Sequence, residues 1–312
     1  MIIPSVEDLQ ANLRATLVVQ SETLWHAVGS NERGSAIVEQ LTGVSGVTVF
    51  PTDFFSDEQA LAQIQLAPLA ITQTVLGLRE VLENRSIGVG KDSTGIDPDW
   101  LEQEHLDLLD LYLDSLPVIA LGGWDWTTQK RGALANLLKL GKAWHRLTGT
   151  ISDSLNGNFD DEVLTPPDLA LLAGLEERSV RNLVGPCKLL RSDEHYVGRQ
   201  SKTRGRSFVA VDRFDALGWL CSRPSFRIKT LRPGLIADHL EAIDAVDLRG
   251  RAALIGCFVL GATPTRFAEI LGVDTNVVRM LGDGNGDAGL YQSVSEYVTQ
   301  LDRGRSSNTV PA

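Results

Sequence analysis

The chain has 312 residues, of which 43% are hydrophobic and 22% are charged. This length suffices for two or three domains that each bury a core, and no apolar run is long enough to span a bilayer. The net charge of -11 disfavours a protein that binds a polyanion over its whole surface. We therefore expect a multi-domain globular protein whose contacts with nucleic acid, where it makes them, are local.

The start of the chain and its cysteines bear on where the protein works. The first ten residues, MIIPSVEDLQ, lack a basic stretch followed by an apolar one, so no secretory signal is predicted and the cytoplasm is the expected compartment. Cys187, Cys221 and Cys257 stand far apart and form no CxxC pair. We expect buried, reduced thiols and neither a disulfide nor a zinc site.

The first half is predicted to be an acidic helical domain over residues 1–150 that serves oligomerisation or sensing. Ser5 is placed to cap a first helix that Gly29 ends, and Val47 to Phe50 is a short β-like run. The segment 149–161, rich in Gly, Asn, Ser and Asp, is predicted to be a linker. Further helices are expected from Ser56 to Asn84 with an interruption at Pro68, from Asp97 to Leu116, and from Thr128 to Leu147.

Two segments of the second half resemble each other. Residues 164–183, LTPPDLALLAGLEERSVRNL, align with residues 262–281, ATPTRFAEILGVDTNVVRML, at a constant offset of 98. This indicates an internal duplication or one motif used twice. The identical pairs include Pro166 and Pro264, Ala170 and Ala268, Gly174 and Gly272, Val180 and Val278, and Arg181 and Arg279.

The first segment has the pattern of a helix-turn-helix. Ala170 is the small residue of the first helix, Gly174 supplies the turn and Leu175 is expected to be buried beside it. Val180 and Leu183 are the inner face of the second helix. The outward residues predicted to contact base edges or phosphates in the major groove are Glu177, Arg178, Ser179, Arg181 and Asn182.

The charge distribution supports a local basic surface after this segment. Residues 1–160 contain 21 acidic and 10 basic residues, whereas residues 161–312 contain 19 of each. Within residues 185–232 there are 11 basic and 4 acidic residues. Such an excess is typical of a dedicated anion-binding patch, and a solvated surface loop is the alternative.

A β-hairpin wing is predicted after the recognition helix. His195 to Arg199 forms one strand, SKTRGR the turn, and Ser207 to Val211 the returning strand. GRSFVAVDRFDALGWL, residues 205–220, resembles the end of excisionase-type and MerR-type winged domains, in which an acidic cap and a tryptophan follow the wing. Asp212 and Trp219 occupy those places.

The resemblance covers about residues 163–222 and departs from the families in a longer, more basic segment before the wing. It implies a winged helix-turn-helix over residues 162–230 that binds DNA. The wing residues predicted to contact phosphates or the minor groove are Arg199, Lys202, Arg204 and Arg206, for which a solvated loop is the alternative.

The second segment lies in a predicted helical domain, residues 233–302, followed by a disordered tail, 303–312. Its outward residues are Thr275, Asn276 and Arg279. The run GDGNGD at 282–287 places two aspartates beside this face, so contact with DNA and packing or dimerisation remain alternatives.

No catalytic, metal or cofactor site is predicted. The run GVGKDSTG at 88–95 departs from a phosphate loop, and the loop from Asp283 departs from a calcium site because Val294 occupies the place of the bidentate glutamate. The five histidines are scattered singly. The protein is therefore not expected to be an enzyme.

The leading prediction is a mainly α, multi-domain, sequence-specific double-stranded DNA-binding protein that acts as a transcriptional regulator. A homodimer is expected because two-fold sites match two-fold proteins. A DNA-architectural, recombination, replication or partition factor would use the same contacts. The alternative from another class is an assembly factor that binds no DNA and whose acidic N-terminal domain meets a protein partner; no membrane association is expected.

Overall fold

The computed structural model describes residues 1–29, 32–67, 69–84, 100–116, 132–159, 164–185, 188–192, 210–224, 226, 228 and 233–304. These residues are mainly helical, as predicted, and they form no sheet. The chain divides into two compact units. The N-terminal unit comprises Ile3–Glu83 and Leu101–Gly141, and the C-terminal unit comprises Met1–Ile2, Asn84–Trp100 and Lys142–Ala312.

The described helices are numbered in chain order. They are α1 (Val6–Val28), α2 (Glu32–Thr42), α3 (Pro51–Phe54), α4 (Glu58–Ala62), α5 (Ala70–Asn84), α6 (Trp100–Ser115), α7 (Ala133–Leu155), α8 (Pro166–Ala173), α9 (Glu177–Arg181), α10 (Arg213–Cys221), α11 (Leu235–Glu241), α12 (Val246–Val259), α13 (Pro264–Leu271), α14 (Thr275–Gly282) and α15 (Ala288–Gly304).

The N-terminal unit is built around α1. Ser5 caps this helix as predicted, since its hydroxyl accepts the Asp8 N–H at 3.0 Å. Leu9, Leu13 and Leu17 recur at one-turn spacing and are buried. Their periodicity fixes which face of α1 enters the core.

The predicted β-like run from Val47 to Phe50 is wrong: these residues form no strand. Phe50 instead precedes Pro51, the first residue of α3. The buried Glu22 carboxylate of α1 accepts the Thr52 N–H at 2.8 Å and also the Thr52 hydroxyl. The buried carboxylate thus satisfies the N-terminus of α3. This stabilises the segment as the start of a helix and not as a strand.

The predicted linker at 149–161 is wrong over its first half because α7 continues to Leu155. The hydroxyls that favour a loop in the sequence bond within the helix. Thr150 donates to the Arg146 carbonyl at 2.8 Å and Ser154 to the Thr150 carbonyl at 2.6 Å. Back-bonding of this kind satisfies a buried hydroxyl without ending the helix.

The C-terminal unit packs α12 against α15 at close range. A Cβ on Gly250 of α12 would lie 2.3 Å from Cδ1 of Tyr291 on α15, so only glycine allows this approach. At the other end of α15, the buried Asp302 carboxylate accepts the Ala237 N–H at 3.1 Å. The predicted tail from 303 starts too early because α15 includes Arg303, which pairs with Glu241. Residues 305–312 lie outside the described residues.

Two further sequence predictions concern cysteines and membranes. Cys221 and Cys257 are free thiols, and burial raises the pKa of each to about 12; Cys187 lies outside the described residues. Within the ranges that the structure describes, no helix combines the length and apolarity that crossing a membrane requires.

Candidate nucleic-acid interface

The first helical hairpin consists of α8 and α9, and its start is held tightly. Thr165 and Asp168 form a capping box, in which each side chain accepts the backbone N–H of the other residue. Pro166 opens the helix with its φ already set. The Arg146 guanidinium donates to the buried Asp168 carboxylate at 2.6 Å and so ties α8 to α7.

The turn of the first hairpin depends on Gly174. Its φ of 67° and ψ of 39° are left-handed, a conformation that favours glycine. The Leu175 N–H then bonds to the Ala170 carbonyl at 2.9 Å and closes the end of α8. Leu175 itself is 37% exposed, so its predicted burial is wrong. The hydrogen bond fixes its backbone, but the described residues leave more than a third of its surface exposed.

The predicted contact residues lie on one exposed surface. Val180 is fully buried and holds α9 against the hairpin core, whereas Glu177, Arg178, Ser179, Arg181 and Asn182 are exposed. Leu183, predicted to be on the inner face, lies beyond the end of α9 and is half-buried. The Arg181 Nε donates to Glu177 Oε1 at 2.5 Å, and both side chains are about half exposed. The arginine is thus oriented along the surface but remains accessible.

The predicted wing lies mostly outside the described residues: Arg199, Lys202, Arg204 and Arg206 fall within 193–209, which the structure does not describe. The residues on both sides are described and are here called the wing base, residues 190–192 and 210–212. Ser192 and Val211 form an antiparallel bridge, and Val211 forms another with Leu164, which precedes α8. The chain therefore leaves and returns at neighbouring positions beside the first hairpin.

The helix after the wing base agrees with the sequence. Asp212 caps α10, since its side chain accepts the Asp215 N–H at 2.9 Å. Trp219 is 8% exposed and belongs to the core. The Arg223 guanidinium lies over the Trp219 ring, 4.9 Å from its centroid. α10 also packs against α8, so the segment that follows the wing base is part of the first hairpin's support.

The second helical hairpin, α13 and α14, repeats the cap, first helix and turn of the first at an offset of 98, although α14 has eight residues and α9 has five. Thr263 caps α13 and Pro264 opens it, and Gly272 has a φ of 66° and a ψ of 31°. The Val273 N–H bonds to the Ala268 carbonyl at 3.0 Å, as Leu175 bonds to Ala170. The two aligned segments are therefore the same structural motif.

The outer face of the second hairpin is used differently. Asn276 is exposed, but Thr275 and Arg279 are only partly so. The Arg279 Nε lies 3.5 Å from Asp215 Oδ1, and its Nη2 donates to the Leu189 carbonyl at 3.3 Å. Of the three residues predicted to face DNA, the arginine thus contacts α10 and the segment before the wing base.

Arg191 is a central residue that the sequence analysis missed. Its backbone N–H and its Nε each donate to Asp215 Oδ2 at 2.9 Å, and its Nη1 donates to Asp283 at 2.7 Å. Its Nη2 lies 3.3 Å from Asp212. We call these residues, with Arg279, the Arg191 cluster. It joins the wing base and α10 to α14.

Burial and charge act together in the Arg191 cluster. Burial alone would lower the pKa of Arg191, but hydrogen bonds to Asp283 and Asp215 raise it above its ordinary value. Burial raises the pKa of Asp212, although the Asp215 N–H and Arg191 act in the opposite direction. Arg191 therefore stays charged at every pH of interest, and the cost of burying charge falls on Asp212.

No protein-family model, curated protein or solved structure matches the chain. Among the described residues, no group of three or more His, Cys, Asp or Glu side chains is arranged to hold a metal ion. The glycine-rich run at 88–95 lies outside the described residues.

Proposed function

We propose that the chain is a sequence-specific double-stranded DNA-binding protein that acts as a transcriptional regulator, with α9 as its recognition helix. The observation that carries the proposal is the exposed surface of α9. Four of the five candidate residues lie on a helix that Val180 and the left-handed Gly174 hold in place, and Asn182 follows as its C-cap. Arginine and asparagine are the side chains that form paired hydrogen bonds with guanine and adenine.

The pairing of Arg181 with Glu177 is compatible with recognition of base edges by Arg181. The carboxylate orients the guanidinium along α9 and would also repel a phosphate that approached it. A base edge can replace the carboxylate as the hydrogen-bond partner, since both side chains are half exposed. Sequence preference would then come from Arg181, while affinity would come from the basic wing.

The length of α9 supports a dimer. Five helical residues extend about 7 Å, which spans only about two base pairs of B-DNA. A site this short carries little specificity, so we propose that two copies bind two half-sites. Arg199, Lys202, Arg204 and Arg206 of the proposed wing would add contacts to phosphates next to each half-site.

For the second hairpin, the contacts favour support over DNA binding. Arg279 and Asp283 of α14 are engaged with α10 and the wing base. Entry of α14 into a groove would require Arg279 to leave Asp215 and Leu189. We propose that the second hairpin positions the wing base and that α9 alone reads bases.

The test is selection of purified protein against random duplexes at two salt concentrations, followed by sequencing of the retained DNA. We expect enrichment of a two-part motif. Arg204→Ala should weaken binding to all duplexes alike and reduce the salt slope by about one. Arg266→Ala is the matched control, because Arg266 is an exposed cation of α13 whose ion-pair partner among the described residues is the nearby and likewise exposed Glu269.

The other outcomes separate the alternatives. Retention that is sensitive to salt but not enriched in sequence would favour an architectural, recombination, replication or partition factor. Absence of retention at both salt concentrations would contradict DNA binding and support an assembly factor. A motif with a single half-site would contradict the homodimer.

A further inference from the structure

A pocket of about 210 Å³ lies inside the C-terminal unit, between α10, α12, α13 and α14. Much of its wall is apolar. Phe214, Trp219, Leu254, Phe258, Pro264 and Val278 line it, and all but Pro264 are less than a tenth exposed. Aromatic and aliphatic walls around a small space are typical of sites for an organic ligand.

One end of the pocket is polar, and Asp215 and Arg279 differ in how many of their hydrogen-bonding atoms are already engaged. Asp215 lines the pocket, but its oxygens already accept three hydrogen bonds from Arg191 and face Arg279. Arg279 also lines the pocket and uses its Nε and Nη2. Its Nη1 has no hydrogen-bond partner among the described residues. The Arg279 Nη1 is therefore an unused donor at this end of the pocket, beside a carboxylate that Arg191 already engages.

We propose that the pocket binds a small aromatic monocarboxylate, with its ring between Trp219, Phe258 and Pro264 and its carboxylate on Arg279. A guanidinium matches a carboxylate in geometry as well as charge. The volume suits one ring, or two fused rings, with a short acidic side chain. The remaining carboxylates of the Arg191 cluster, Asp212 and Asp283, are held by Arg191.

Binding of the ligand would also affect the proposed DNA-binding surface through Arg279. Its carboxylate competes with Asp215 and the Leu189 carbonyl for Arg279. Leu189 lies immediately before the wing base, so occupancy of the pocket changes how α14 supports it. This step rests on the proposed DNA binding and makes the pocket an effector site whose occupancy shifts affinity for DNA.

The first experiment uses the full chain without DNA. Phenylacetate, benzoate and indole-3-acetate are each compared with their neutral amides, by saturation-transfer NMR and titration calorimetry. We expect at least one carboxylate to bind and its amide to bind about tenfold more weakly or not at all. Arg279→Gln should weaken the carboxylate by about tenfold, and Arg266→Gln should leave it unchanged.

A second variant blocks the pocket without touching its charge. Ser222 is exposed at the rim, so Ser222→Trp should fold normally and abolish binding by its bulk. Binding that survives both Ser222→Trp and Arg279→Gln would place the ligand elsewhere and overturn the proposal. Absence of binding by all three acids at millimolar concentration would overturn it as well, as would amides that bind as tightly as acids.

A final measurement links the pocket to DNA. The affinity for a selected duplex is measured with and without a saturating carboxylate, in wild type and in Arg279→Gln. We expect a change in the wild type alone. Ligand binding without this change would overturn the effector role and leave the pocket assignment intact, and failure of DNA binding itself would leave the ligand result standing.

Discussion

The first and second hairpins share their cap, first helix and turn, but their second helices differ in length and face different surroundings. Both begin with a threonine cap and a proline, turn at a left-handed glycine, and bury a valine at the same place. The aligned arginines differ. Arg181 pairs with Glu177 of its own helix and remains half exposed, whereas Arg279 reaches Asp215 and the Leu189 carbonyl.

This difference shows that the motif specifies a scaffold and leaves the use of its outer face open. Inner positions must be apolar in both hairpins because they close the same crossing of two helices. Outer positions depend on what lies nearby. α14 lies against α10, so its arginine became a packing residue, whereas the outer surface of α9 is exposed.

The largest expected effect is on the free energy of unfolding, and it tests whether the inner faces of the two hairpins are equivalent. Phe267 is fully buried and lies near Tyr297, with ring centroids 6.0 Å apart. Phe267→Ala should reduce the free energy of unfolding by about 3–5 kcal/mol, and Leu169→Ala, its counterpart in the first hairpin, by about 2–5 kcal/mol. Denaturant titration followed by circular dichroism measures both.

The control for this pair is Leu175→Ala. Leu175 is apolar but 37% exposed, so its truncation should cost less than about 1 kcal/mol. A cost for Phe267→Ala as small as that of Leu175→Ala would show that the second hairpin lacks the packed core of the first.

The next effect tests whether the second hairpin supports the wing base. Arg191→Met removes the cation that joins Asp212, Asp215 and Asp283. Because the Asp215 side chain is only 3% exposed, the loss should be about 2–3 kcal/mol at neutral pH. Arg266→Met is the control, since its pair with Glu269 is well exposed and contributes at most about 1 kcal/mol.

The pH dependence of the stability of Arg191→Met is a second test of the Arg191 cluster. Burial raises the pKa of Asp212 in the folded protein, so its ionised form costs stability, and this cost disappears as the pH falls through the folded pKa. Removing Arg191 raises that pKa further. The difference in stability between the variant and wild type should therefore shrink from pH 7 towards about pH 4. A constant or growing difference would contradict the role assigned to the cluster.

Features determined by near neighbours in sequence could be predicted. The Ser5 and Asp212 caps and the turn at Gly174 all depend on residues within about one helical turn, and each is present. The mainly helical class follows from similar local patterns. Interactions between distant residues could not be predicted: Arg191 is bound by carboxylates 21, 24 and 92 positions away.

The exposure of individual side chains also required the structure. Leu175 and Val180 are apolar residues of one hairpin, yet Val180 is fully buried and Leu175 is 37% exposed, because burial depends on which other element covers a position. The extension of α7 through Thr150 and Ser154 could not be predicted either, because the hydroxyls of these residues donate to carbonyls of the same helix. A composition rich in loop-forming residues therefore predicted the wrong element.

Arg181 and Arg279 should differ in their effect on DNA binding. Arg181→Ala should reduce affinity for a selected duplex by about 1–3 kcal/mol, or roughly 5- to 150-fold, and relax the base preference. Arg279→Ala should leave the preference unchanged, because its guanidinium is engaged with Asp215 and Leu189. Fluorescence anisotropy with selected and scrambled duplexes measures both. Loss of preference in Arg279→Ala alone would exchange the roles of the two hairpins.

The smallest effect concerns the two turns. Gly174 and Gly272 share a φ near 67°, so Gly→Ala should cost each hairpin about 1 kcal/mol from backbone strain alone. The two positions differ in the space available to an added Cβ. A Cβ on Gly272 meets nothing within 4 Å, whereas on Gly174 it lies 3.1 Å from the Met1 nitrogen. Gly174→Ala should therefore be the more destabilising by a few tenths of a kcal/mol, and equal melting curves for the two variants would show that the Met1 segment yields without cost.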